Sequence, residues 1–213
     1  MSKDWTKIRA KVKDFIESEI YPKETELAKG TPEAREMLGS LMQLAKDEKI
    51  WALGHPEDIG GGGMPFMEYV YVNEVIGRSS FAMVALGTHS LQDSIMLREF
   101  ASPHWRDQYL EPLVQGEIFP SFGMTEPDVA SSDPTQLQTT AILDNGTWKI
   151  NGTKWFTTGA ARAAYTTVMC RTELDAPSHG AFSMIIVPTD NPGYKIVRAV
   201  SYTHLTLPTS PKV

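Results

Sequence analysis

Two segments of this chain gather the side chains best able to hold a flat, polar ligand. The first, Phe122-Gly123-Met124-Thr125-Glu126-Pro127-Asp128-Val129-Ala130-Ser131-Ser132-Asp133, leaves a strand and packs small and hydroxyl residues into an irregular loop. Such loops expose backbone N–H groups and hydroxyls that bind a polar cofactor without full charges. The second, Asn151-Gly152-Thr153-Lys154-Trp155-Phe156-Thr157-Thr158-Gly159, sets two adjacent aromatics before two hydroxyls. The rings can pack on a heterocycle and the hydroxyls can donate to its edge. Taken alone, each segment has a plainer explanation: a Ser/Asp-rich turn, and a strand whose aromatics fill a barrel core.

Other candidates are weaker. The run His55-Pro56-Glu57-Asp58-Ile59-Gly60-Gly61-Gly62-Gly63 invites a phosphate-binding reading. A phosphate cradle needs glycines between a strand and a helix N-terminus, whereas here a helix precedes the loop and no Gly-Lys-Ser/Thr follows, so a flexible connection is expected. The histidines at 55, 89, 104, 179 and 204 show no metal-ligand spacing, and no metal residue is assigned. Ser90 stands outside any Gly-x-Ser-x-Gly elbow. Cys170 lies in an apolar run and reads as a small core residue.

The elements that must position these residues change character midway. Up to about residue 115, apolar residues recur at helical spacing: Trp5, Ile8, Val12, Phe15 and Ile20, ended by Tyr21-Pro22. Thr31-Pro32-Glu33 reads as an N-cap, a first-turn proline and a first-turn acid, followed by the stripe Met37, Leu38, Leu41, Leu44 and Ala45. A helix is predicted over 65–76 with Gly77 as its stop, then an apolar stretch from Phe81 to Phe100, then a short helix capped by Ser102-Pro103. After Glu117 the pattern becomes strands and turns: 137–143, the Asp144-Asn145-Gly146 turn, 148–150, 165–170, 181–187, and 194–197 after Asn191-Pro192-Gly193. Helices followed by strands, without alternation, predict an α+β chain with a helical domain over 1–116 and a second domain over 117–200. Residues 201–213 contain no acids and are dense in Thr, Ser and Pro, and are expected to be a non-native tail.

Composition sets the outer bounds. The 213 residues are 41% hydrophobic and 22% charged, a globular balance. No apolar run approaches the ~20 residues that cross a bilayer. The net charge of −6 offers no general attraction for nucleic acid or anionic membrane. One cysteine and no apolar leader fit a reducing compartment, with the cytoplasm as the default.

Considered together, the segments are informative. Met124-Thr125-Glu126-Pro127 with Ala130-Ser131-Ser132-Asp133, then about twenty residues containing a hairpin, then Ile150-Asn151-Gly152-Thr153-Lys154 and its aromatic-hydroxyl run, resemble the acyl-CoA dehydrogenase family, closest to the branch handling long-chain acyl groups. Asn73-Glu74-Val75-Ile76-Gly77-Arg78-Ser79 and Tyr109-Leu110-Glu111-Pro112-Leu113-Val114-Gln115-Gly116 add matches in the family's order.

The resemblance implies a helical N-terminal domain, an antiparallel β-barrel-like middle domain and a four-helix C-terminal domain, the last beyond this sequence. It implies FAD, with contacts falling on Phe122, Gly123, Met124, Thr125, Ser131, Ser132, Trp155, Phe156, Thr157 and Thr158, and an acyl-CoA contact at Ser131. The family motif places a Trp beside the flavin ring where this chain has Phe156, with Trp155 one place early, so either ring is a candidate for that face. The implied reaction is α,β-dehydrogenation of an acyl-CoA thioester, as in fatty acid β-oxidation, with electrons passing to electron-transfer flavoprotein or a similar acceptor, in a homo-oligomer. The family's base is a glutamate of the C-terminal domain, so no catalytic residue is assigned and no turnover is expected from this chain alone. A non-catalytic flavin or acyl-CoA binding module, and a flavin monooxygenase or nitroalkane oxidase on the same fold, are the alternatives.

Overall fold

Helical capping and periodicity organise the first part of the chain. The computed structural model describes residues 4–131 and 133–199, and the suspected tail 201–213 lies outside them. The chain divides into two compact units, residues 1–118 and 119–213.

In the first unit, α1 (Trp5–Phe15) is capped by the Asp4 carboxylate, which accepts from the Lys7 N–H. The expected stop at Tyr21-Pro22 does not break the path. A π turn over Ile16–Ile20 runs into a 3-10 turn over Tyr21–Lys23 and then α2 (Glu24–Leu27). Pro22 falls in the first turn of the new segment, where its missing N–H costs nothing. Thr31 caps α3 (Pro32–Asp47) as its residue type predicts, its hydroxyl accepting from Ala34 N–H at 3.3 Å.

Gly77 ends α4 (Phe66–Ile76) with φ −67°, so the stop does not use glycine's left-handed freedom. The stretch from Phe81 to Phe100 is interrupted. α5 (Ala82–Ala85) gives way to Gly87 at φ +69°, where a Cβ would stand 2.7 Å from the Trp51 ring, and α6 (Leu91–Phe100) follows. Ser102 precedes α7 (Pro103–Val114) without a side-chain capping bond. Val12, Ile16, Leu41, Ala45, Val72, Ile76 and Leu86 form the buried core of this unit.

The four-glycine run is a packed turn rather than a flexible connection. The N–H groups of Gly60, Gly61, Gly62 and Gly63 donate to the carbonyls of Glu57, Pro56, Ala52 and His55. With these donors spent inside the turn, nothing remains to cradle a phosphate. A Cβ on Gly61 would run into the His55 carbonyl, and one on Gly62 would sit 2.8 Å from Leu53 Cα.

The second unit is built on a sheet. Its strands are β1 (Pro120–Gly123), β2 (Thr140–Asp144), β3 (Thr147–Asn151), β4 (Tyr165–Arg171) and β5 (Phe182–Pro188). The hairpin β2–β3 turns on Asn145 (φ +49°) and Gly146 (φ +78°), two left-handed residues as a type I′ turn demands. β4 is the buried axis, with β1 parallel on one side and β5 antiparallel on the other. β2 meets β4 in parallel at Thr140↔Arg171. The expectation of an antiparallel sheet is thus corrected: the sheet is mixed. About forty residues, including the first candidate loop and the hairpin, separate β1 from β4, and a connection of that length returns the chain in the same direction. β5 is half-exposed, and among the described strands it pairs with β4 alone. Tyr194–Val197 forms no strand.

Two glycine substitutions test this packing by urea unfolding. Gly39→Ala, inside α3 with open space around its Cβ position, should gain about 0.5–1 kcal/mol. Gly61→Ala should lose about 1–3 kcal/mol, because backbone must move to admit the methyl group.

Candidate functional site

The two segments that sequence chemistry singles out lie side by side. The first follows the end of β1, and the second follows β3, the outer strand of the hairpin. Four hydrogen bonds join them. Trp155 N–H donates to the Thr125 carbonyl at 3.0 Å, and the Thr125 hydroxyl donates to the Trp155 carbonyl at 2.6 Å. Lys154 Nζ donates to the Met124 carbonyl at 2.9 Å and to Glu126 Oε1 at 2.7 Å.

Electrostatics beneath these bonds are unusual for a loop. The Glu126 and Lys154 side chains are only 5% and 10% exposed. Besides the ammonium, the Glu126 carboxylate accepts the backbone N–H groups of Gln138 (2.7 Å) and Thr139 (2.9 Å). Burial alone would raise its pKa. The Lys154 ammonium, Thr139 and the two backbone donors outweigh burial and hold it down at about 2. Glu126 is therefore an anchor that is ionised at neutral pH and unsuited to proton transfer there. Asp133 is also occupied, accepting from Thr135 N–H, Thr135 Oγ1 and Gln136 Nε2. Both acids shape loops.

All of the candidate contact residues but Ser132 have a described place. Phe122 sits in β1 opposite Thr167 of β4, half-buried. Gly123 is buried, with Lys154 Cγ and Thr166 Cγ2 each 3.3 Å from where its Cβ would stand. Met124 and Thr125 are half-buried at the junction. The Ser131 hydroxyl closes the first loop on itself, accepting from Glu126 N–H at 2.8 Å and facing the Glu126 and Val129 carbonyls. Ser132 lies outside the described residues.

Trp155 and Phe156 are 43% and 55% exposed, with ring centroids 4.5 Å apart. Phe156 holds φ +51°, a left-handed conformation that is costly for a residue with a Cβ. Thr157 Oγ1 is buried with no hydrogen-bond partner among the described residues, and Thr158 is exposed. Exposed aromatic faces, a strained backbone and an unspent hydroxyl fit a flat heterocycle with hydrogen-bonding edges, so the donor set suits FAD.

The helical unit holds features the sequence did not reveal. A cleft of about 400 Å³, lined mainly by apolar surface, is bordered by Tyr69, Met83, Thr88, Leu91, Gln92 and Ile95. Its residues come from α4, α5, α6 and the 3-10 turn Thr88–Ser90 before α6, so no local motif announces it. His55 and Ser90, both fully buried, pair through Nε2 and Oγ at 3.1 Å. Burial, reinforced by His89, pushes the His55 pKa down to about 4, so this is a neutral structural pair with no access for a substrate. Asp93 is raised by burial to about 6. Cys170 is fully buried and its thiol is raised to about 11, mainly by burial, which leaves it inert at neutral pH.

The Glu126 anchor makes stability depend on pH in a defined direction. Unfolded, the carboxyl titrates near its ordinary 4.5, and folded near 2. Its contribution is complete above pH 4.5 and lost as pH falls towards 2. Glu126→Gln, which strands a buried ammonium, should cost about 3–5 kcal/mol at pH 7. It should also flatten the fall in urea midpoint across that acid window.

The family model for the N-terminal domain of acyl-CoA dehydrogenase matches residues 2–117, and that for the middle domain matches residues 121–209, running into the segment suspected as a tail. The chain is 32% identical over 209 residues to acyl-CoA dehydrogenase family member 10 of Mus musculus, covering 92% of this chain and 20% of that protein. It is 36% identical over 203 residues to the probable acyl-CoA dehydrogenase FadE2 of Mycobacterium tuberculosis, covering 90% and 49%. The chain thus spans at most about half the length of these relatives. Among solved structures, an acyl-CoA dehydrogenase homologue from Mycobacterium abscessus superposes with TM-score 0.85 at 31% identity, covering 94% of this chain and 54% of that one. A glutaryl-CoA dehydrogenase of Mycobacterium smegmatis in complex with FADH2 superposes with TM-score 0.70 at 26% identity, covering 91% and 47%. With one family model spanning more than half of its residues and a second matching most of the remainder, this chain belongs to the acyl-CoA dehydrogenase family.

Proposed function

We propose that this chain supplies the flavin-holding portion of a dehydrogenase acting on acyl-CoA thioesters, with residues 1–116 as its helical domain and residues 117–200 as its flavin-binding domain. The observation that carries this reading is the reciprocal pair of hydrogen bonds between Thr125 and Trp155, which sets two exposed rings and the unspent Thr157 hydroxyl beside the first loop. Bound FAD supplies the hydride acceptor for α,β-dehydrogenation.

The chain's own residues orient it and exclude water. Trp155 or Phe156 packs on the ring, the Thr157 and Thr158 hydroxyls offer donors at its edge, and Phe122, Gly123, Met124, Thr125 and Ser132 line the approach. Ser131 is proposed to contact both FAD and acyl-CoA. Its proton already faces two loop carbonyls, so the acyl-CoA contact draws on its remaining acceptor capacity or redirects that proton. The cleft in the helical unit, apolar over most of its lining, suits an aliphatic chain. Glu126 and Asp133 are spent on loop structure and so are not placed to remove the α-proton. Fatty acid β-oxidation, an electron-transfer flavoprotein or similar acceptor, a homo-oligomer and a cytoplasmic setting belong to the same proposal for the whole enzyme and rest on family membership. Among the described residues, no helix is long and apolar enough to cross a membrane.

Titrating FAD into the purified chain tests the reading. Binding should quench tryptophan fluorescence and give a protein-bound flavin spectrum. Trp155→Ala and Phe156→Ala should separate the two rings, with the ring that faces the flavin losing about tenfold in affinity. Phe156→Gly should hold or gain stability by relieving the left-handed strain, at about 1 kcal/mol, whatever it does to FAD. A folded, colourless protein indifferent to FAD would sink the proposal.

A further inference from the structure

We propose that Lys154 and Glu126 are positioning residues that fix the Thr125 backbone N–H as a donor to the flavin. The inference deepens the flavin reading and rests on it. A buried ion pair is a poor device for stability alone, since apolar residues of similar volume often serve as well. What apolar residues cannot do is grip a backbone carbonyl. Lys154 Nζ is 2.9 Å from the Met124 carbonyl and 2.7 Å from Glu126 Oε1, so the ammonium joins the carbonyl to the carboxylate. Glu126 is in turn held by the Gln138 and Thr139 N–H groups, which lead into β2 of the sheet. The ammonium therefore cannot follow the loop. The loop must follow the ammonium.

Peptide planarity transmits this constraint. The described residues include no cis peptide bond, so in the Met124–Thr125 unit the C=O and the N–H point in opposite directions. Drawing the Met124 carbonyl towards Lys154 turns the Thr125 N–H away from it. Thr125 is fixed elsewhere too, its carbonyl accepting from Trp155 N–H and its hydroxyl donating to the Trp155 carbonyl. Among the described residues nothing accepts from the Thr125 N–H. A rigid, unspent donor beside two exposed rings suits an acceptor on the edge of the same heterocycle, and it needs no reorganisation on binding. Lys154 itself is not the ligand contact, because its side chain is buried and its ammonium faces protein oxygens.

The test titrates FAD into the full chain as wild type, Lys154→Met, and the double variant Glu126→Gln/Lys154→Met. The double variant removes both charges at similar volume, and the new amide oxygen can still accept from one of the two N–H groups, Gln138 or Thr139, that the carboxylate oxygens share. It should keep the wild-type far-UV circular dichroism and a cooperative melt. FAD affinity should nevertheless fall about tenfold, the equivalent of one hydrogen bond, and the visible band of bound flavin should move towards that of free FAD. A purely structural pair would lower the melting temperature without moving that band. Wild-type affinity and band shape in the double variant would overturn the inference while leaving the flavin reading intact. Loss of fold in the double variant would mark the pair as scaffolding and overturn it as well. A wild-type chain that takes up no FAD would remove the flavin reading and this inference with it.

Discussion

A carboxylate and an ammonium buried together constrain everything around them, because neither tolerates being left unmatched. In this chain that pair is Glu126 and Lys154. Desolvation opposes its burial, and the cost is offset only while every remaining donor and acceptor is met. Meeting them fixes the end of β1, the start of β2 and the exit from β3 in one arrangement, since Met124, Gln138 and Thr139 each contribute a backbone group. Two loops some thirty residues apart are thereby held by a core contact, although both carry exposed surface. The irregular backbone that a ligand site requires is tolerated because something rigid lies under it.

The division of labour within the second motif follows from that support. Lys154 points into the protein and the next two side chains are exposed, which brings both rings out together instead of alternating them as a strand would. The left-handed Phe156 makes this possible. It interrupts the extended path between Trp155 and the residues that follow. Strain at a residue with no packing reason for it is the usual mark of a site selected for something other than stability. The motif's departure from the family pattern, with a Trp early and a Phe in its place, falls on the same two residues.

Local chemistry made much of the architecture legible. Thr31-Pro32 opened a helix because a hydroxyl and a donor-free residue suit a helix start. Asn145-Gly146 closed a hairpin because both tolerate positive φ. The misreadings share a cause, which is that each depended on where distant backbone would lie. The glycine run looked flexible because its partners, such as Leu53 and His55, approach only after the chain folds back. Pro22 looked like a stop because a π turn beforehand cannot be anticipated from apolar spacing. The parallel pairing of β1 with β4 depends on a crossover whose length is visible but whose direction is not.

Sequence by itself determined that helices precede strands, that the loop at Thr125 and the run at Trp155 gather the candidate ligand-holding residues, and which family they resemble. Each of these is a matter of residue type and spacing within a few turns of chain. Tertiary structure alone decided that Glu126 is an anchor and not an acid for catalysis, that Lys154 faces inward, and that Ser131 spends its hydroxyl inside its own loop. It also decided that an apolar cleft opens among several separate elements of the helical unit. The reason is physical. A side chain's propensity is local, but its charge state and its free hydrogen-bonding capacity are set by whichever groups the fold brings within about 3 Å of it.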